Sequence, residues 1–99
     1  MENEKVTVVE RLRAKPGMED LVKLILQQLA AETRTEEGCI SNHVRQSVSD
    51  PGVFLSIETW KNRDLLERHS ETSHIEAFRR KSDDLLAEPT EITLWENLD

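Results

Sequence analysis

VFLSIETWKNRDLLERHSETSHIEAF, residues 53–78, decides how this chain is read. It begins as an apolar strand that ends in Glu58 and Trp60 and continues into two helical pieces carrying His69 and His74. Side chains alternate across a strand, so Phe54, Ser56, Glu58 and Trp60 share one face while Leu55, Ile57 and Thr59 share the other. An acid beside an indole at a strand end predicts a partly enclosed polar pocket.

Beyond Trp60 the pattern changes. Asn62 is placed to cap the free amides of a short helix, Asp64 suits its positive end, and Leu65 and Leu66 give it an apolar side. His69 follows Leu65 by four residues and returns to the inward or boundary face if that helix is continuous. Ser73, with Glu76 three residues on, marks a second start whose apolar side holds Ile75 and Phe78. The two histidines are therefore expected on either side of a bend, at a separation their spacing leaves open.

Working outward, residues 5–14 read as a first strand. Val6, Val8 and Val9 favour extension, and the mixed charged positions after them fit a polar edge or an assembly-facing surface. Pro16 and Gly17 stop it. Residues 18–36 follow as a helix with two overlapping apolar sets, Leu21 and Ile25 on a face with Gln28, and Met18, Val22, Ile25 and Leu29 on another. Gly38 permits a turn into a strand over 39–47. Asp50, Pro51 and Gly52 then connect it to the strand that ends at Trp60, the proline fixing one dihedral and the glycine tolerating positive φ. The second helical region spans 63–87, interrupted near 70–73 and closed by Glu88 and Pro89. In a last strand over 91–98, Ile92, Leu94 and Glu96 alternate with Thr93, Trp95 and Asn97. The predicted order is β-α-β-β-α-β, an α+β chain that places both helices on one sheet face and leaves the other for a partner.

Composition narrows the function classes. The 99 residues suit one domain, 1–99, and 36% hydrophobic content supports a small core with limited room for a deep private pocket. Thirteen Lys and Arg against 20 Asp and Glu give a net charge of −7 without a basic run, which argues against nucleic acid and anionic membranes as partners. The apolar runs are too short to span a bilayer and residues 1–15 lack the architecture of a secretory signal, so a cytoplasmic location is expected. Cys39, the single cysteine, cannot form an intrachain disulfide and is expected to be structural. His43, His69, His74 and Glu58 carry metal-binding groups, but no compact ligand motif joins them, and the expectation is no metal. Phosphate-binding, dinucleotide, redox-dicysteine and covalent-hydrolase motifs are absent too.

Five ordered segments give a more specific signal: RAKPG at 13–17, TRTEEGC at 33–39, SDPG at 49–52, FLSIETW at 54–60 and HSETSHIEAF at 69–78. Together they resemble the antibiotic biosynthesis monooxygenase domain family, which includes small quinol monooxygenase-like proteins. The resemblance implies a ferredoxin-like homodimer whose paired sheets form a dimeric α/β-barrel assembly, with a cavity between sheet and helices. It further implies oxidation of a quinol or electron-rich aromatic by dioxygen without a cofactor. A small-metabolite isomerase and a noncatalytic ligand-binding protein on the same scaffold stay open, because a shared scaffold does not select a reaction.

Within that resemblance His69 and His74 correspond to the family's paired histidines and are the candidate catalytic residues, able to hold or move protons near neutral pH. Glu58 and Trp60 match its E-x-W element. Trp60 suits ring stacking as well as it suits packing, and Glu58 suits proton acceptance, orientation of His69 or a structural hydrogen bond. Phe78 and Arg80 complete the candidate substrate-binding set, Arg80 as an oxyanion partner should its helix point it inward. Asn42 departs from the aromatic residue common after the family's G-C-x-x element, and Ser56 and Leu66 stand where some aromatic-polyketide oxidising relatives have asparagine and tyrosine.

Overall fold

The computed structural model describes residues 4–99. Its elements are β1 (Val6–Arg13), α1 (Glu19–Thr33), β2 (Cys39–Gln46), β3 (Val53–Trp60), α2 (Arg63–Ser70), α3 (Ser73–Leu85) and β4 (Glu91–Glu96). The strands form one antiparallel sheet in the order β2-β3-β1-β4, a ferredoxin-like α+β arrangement in which the second helical region is broken in two. Among the described residues no helix is long and apolar enough to cross a membrane.

β3 carries the alternation through its whole length. Phe54, Ser56, Glu58 and Trp60 are buried beneath the helices, while Val53, Leu55, Ile57 and Thr59 are partly exposed on the opposite face. The register sets Val6 opposite Trp60, Val8 opposite Glu58, Glu10 opposite Ser56 and Leu12 opposite Phe54, and it places Asn42 of β2 on the other flank of Glu58. The covered face therefore has apolar ends and a polar middle. One apolar cluster gathers Leu12, Val22, Leu26, Phe54 and Leu85, and another gathers Val6, Val8 and Trp60 with Leu65 and Leu66 packed against it.

α1 buries Val22, Leu26, Ala30 and Thr33, a stripe rotated from the one its sequence suggests. Leu21 and Leu24 are about half exposed and Met18 is on the surface. Apolar residues ring so much of this helix that periodicity offers several faces, and contact with the sheet selects one. The β2–β3 turn forms without positive φ at Gly52; Gly17, before α1, and Gly38, before β2, hold it instead. The Asp50 side chain shapes that turn, accepting from Gly52 N at 3.0 Å and from Arg13 Nη1 at 3.0 Å. These bonds hold the Asp50 carboxyl below its ordinary pKa, the Gly52 amide most strongly.

Asn62 caps α2 as its sequence predicts, accepting from Leu65 N at 2.9 Å. α3 starts differently: Thr72 is the N-cap residue, Ser73 is already helical, and the Thr72 side chain makes no capping hydrogen bond. The Thr72 hydroxyl donates instead to the His69 carbonyl at 2.7 Å, closing the bend between the two helices.

Candidate active site

Between the polar middle of the sheet and helices α1 and α3 lies a cavity of about 160 Å³. Glu10, Asn42, Ser56 and Glu58 form its polar floor, and Leu29 and Phe78 contribute to its apolar wall. Glu58 is buried, and both its oxygens are engaged. Trp60 Nε1 donates to Oε1 at 2.9 Å and Ser56 Oγ approaches Oε2 at 3.4 Å. Asn42 is buried as well, and its Oδ1 has no hydrogen-bond partner among the described residues.

Glu10 is the second carboxyl in the cavity. Burial, reinforced by the neighbouring charge of Glu58 and opposed by Arg79, raises its pKa to about 7. A carboxyl poised near neutrality can take or give a proton at working pH.

Behind Glu58 the expected residues converge. His69, buried at the end of α2, turns Nε2 toward Glu58 Oε1 at 3.7 Å and Nδ1 toward Glu36 Oε2 at 3.0 Å. His74, in the first turn of α3, meets the same Glu36 oxygen through Nε2 at 2.7 Å. The Trp60 ring lies against His69, with centroids 4.7 Å apart. Local structure explains the convergence. Glu36 sits in the turn that follows α1, and Gly38, at φ +90°, swings the chain into β2. A Cβ there would lie 2.5 Å from Leu65 Cδ1, so the glycine allows α2 to pack tightly over the turn.

The remaining candidates fall in different places. Phe78 lines the cavity; Trp60 is wholly buried beside it and exposes no face to a substrate. Arg80 is exposed and lies outside the cavity, because the helical turn directs its neighbour Arg79 to the rim. Sequence reasoning passed over Glu10 and Glu36. Glu10 did carry a signal, a lone charge among the inward positions Val6, Val8 and Leu12 of β1. Glu36 carried none beyond its segment, since its partners lie 33 and 38 residues away. Burial, with Glu58 and Glu36 nearby and Arg34 opposing, raises the Cys39 thiol pKa and so disfavours its thiolate.

Glu36, His69 and His74 bring three ligand-type atoms within 4.8 Å of one another. Their 2.7 and 3.0 Å contacts are hydrogen bonds centred on a carboxylate oxygen. Zinc–ligand bonds of about 2.0–2.1 Å in a tetrahedral site would hold the ligand atoms roughly 3.3 Å apart. The contacts in the structure are shorter than that spacing and join the three groups as a hydrogen-bonded chain.

The sequence model of antibiotic biosynthesis monooxygenases matches residues 5–81, from the start of β1 into α3. The chain belongs to the antibiotic biosynthesis monooxygenase family. Its relatives include an uncharacterized protein of Synechocystis sp., 32% identical over 91% of this chain, the match spanning 61% of that protein's length. "Putative monooxygenase YcnE" of Bacillus subtilis is 27% identical over 86% of this chain and 90% of its own. Among solved structures, PA3566 from Pseudomonas aeruginosa superposes with a TM-score of 0.92 at 29% identity, covering 100% of this chain and 99% of that one. For this antibiotic biosynthesis monooxygenase family member, the matched segment contains Glu10, Glu36, Glu58, His69 and His74.

Proposed function

We propose that this protein uses dioxygen to oxidise a small single-ring quinol or related electron-rich aromatic, without a bound cofactor. The observation that carries the reading is the cavity of about 160 Å³ with two carboxyls in its wall. A cavity of about 150 Å³ accepts a benzene ring, so this volume suits a single ring. Leu29 and Phe78 would hold the ring, while Glu10 and Glu58 face its hydroxyl groups.

Loss of a hydroxyl proton to a carboxylate leaves the O–H electron pair on the ring oxygen, and the resulting phenolate is the reductant. All electrons passed to dioxygen come from the substrate. One oxygen atom becomes bonded to a ring carbon and the other leaves as water, so hydroquinone and dioxygen yield a hydroxyquinone and water. An enclosed, pre-arranged site lowers the cost of forming the anion and of bringing the two reactants together.

A proton-shuttling isomerase is the second reading, favoured by the neutral-range pKa of Glu10, since such a group can both accept and return a proton. Oxygen uptake separates the two. With a hydroquinone panel, uptake and hydroxylated product above buffer and heat-denatured controls, persisting under chelation, support the oxidation. Uptake no greater than those controls across the panel rejects it, and a requirement for added metal rejects its cofactor-free form.

The proposal extends to a cytoplasmic homodimer. Val9, Leu55 and Ile57 lie on the sheet face that no helix covers, and Trp95 is 57% exposed on the same side. A second copy could cover this face through a self-complementary contact.

A further inference from the structure

We infer that Glu58, His69, Glu36 and His74 form a proton exit from the cavity to solvent, with the two histidines acting through Glu58 and not on the substrate. The inference rests on the reading above that the cavity receives a hydroxylated ring, and it assigns the path by which the hydroxyl proton departs.

Position gives the order. Glu58 lines the cavity, whereas His69 and His74 do not. His69 presents one nitrogen to each of two carboxylates, Nε2 to Glu58 at 3.7 Å and Nδ1 to Glu36 at 3.0 Å. Glu36 passes the connection to His74 at 2.7 Å. His74 is partly exposed and opens onto a surface depression beside Gln28 and Phe78. Acid and imidazole thus alternate from the interior to water.

The 3.7 Å step is the open joint, beyond a formed hydrogen bond. Catalytic contacts are often long without substrate and tighten in the complex. Closure would let the Glu58 carboxyl O–H bond break as His69 Nε2 gains the proton and His69 Nδ1–H passes its proton to Glu36. Glu36 returns to a carboxylate when His74 Nε2 takes that proton as His74 Nδ1–H gives one to water. Each group then carries its starting charge, the cycle closes when His69 and His74 each move a ring proton back to the nitrogen that released it, and no redox partner is needed. The same four residues could merely fasten α2 and α3 to the turn after α1, so the test must read proton movement separately from stability.

4-Nitrophenol serves as a probe because its ionisation is visible and it resists oxidation. Temperature-jump relaxation of the bound nitrophenolate signal is measured for wild type, Glu36→Gln and His74→Ala, with affinity and folding checked in parallel. Relaxation at least about tenfold slower in both variants at unchanged affinity is expected, given the 10²–10⁴-fold reach of positioned acid–base groups. Added imidazole should restore the rate in His74→Ala. Wild-type relaxation in either folded variant overturns the exit, and so does slow relaxation of His74→Ala that imidazole leaves unchanged. Failure of the cavity to bind 4-nitrophenol overturns it as well. Oxygen uptake from hydroquinones is scored on the same samples. Slowed relaxation without uptake removes only the oxidation reading, and uptake with unaltered relaxation removes only the exit.

Discussion

Trp60 donates its indole N–H to Glu58 Oε1 at 2.9 Å, on the oxygen that also faces His69 Nε2. The indole thus serves the site from behind, aiming a buried carboxylate. Trp60→Phe keeps most of the ring and deletes the donor. A hydrogen bond to a charged group contributes about 1.5–3 kcal/mol, and a loss of that size in urea unfolding is expected. Unchanged stability would show that Glu58 finds its partner elsewhere.

Glu10 makes stability depend on pH. Its folded pKa of about 7 lies above the ordinary 4.5, so the folded state holds the proton more tightly than the unfolded chain. The resulting stabilisation is complete below about pH 4.5 and is lost as pH rises to about 7. Glu10→Gln should therefore narrow the difference in Tm between pH 5 and pH 8, gaining most at the higher value. An equal gap in variant and wild type would contradict the assignment.

Gly38 and Gly17 both hold positive φ, but only at Gly38 would a Cβ meet a neighbour. Gly17→Ala should cost about 1–2 kcal/mol, the penalty for an L-residue in the left-handed region. Gly38→Ala adds displacement of Leu65 and should cost more, with a concurrent loss of 4-nitrophenol relaxation rate as His69 moves with α2. Equal costs in denaturant titrations would mean that α2 yields freely.

Much of this architecture could be read from residue order. β3 was legible because its side chains alternate without a break, and Asn62 because it precedes a helix with nothing else to cap it. The buried stripe of α1 was not, because Leu21, Leu24, Ile25 and Leu26 supply apolar groups on several faces and tertiary contact decides among them. Arg79 and Arg80 illustrate the same point at one residue's resolution: adjacent helical positions point about 100° apart, and only the placement of α3 says which reaches the cavity. The junction at Glu36 depends on three turns meeting in space. Local spacing holds no record of that.

Ile57 sits on the uncovered sheet face, opposite His43 of β2 and Val9 of β1. Ile57→Glu should reduce the light-scattering mass from that of two chains to that of one while the helical circular dichroism is retained. A wild-type protein that stays monomeric across concentration would remove the proposed assembly.

β4 is an edge strand, and its inner residues Ile92 and Leu94 are 58% and 47% exposed, beyond the reach of the helices. Ile92 and Thr90 edge the cavity from this side, whereas Glu58 and its chain of partners hang from β3 and the helix ends. Ile92 is also the cross-strand neighbour of Glu10, whose burial holds its pKa up. A smaller residue at 92 would therefore widen the cavity's edge and wet Glu10 in one step, so at this edge the choice of guest and the acidity of the carboxyl that meets it change together.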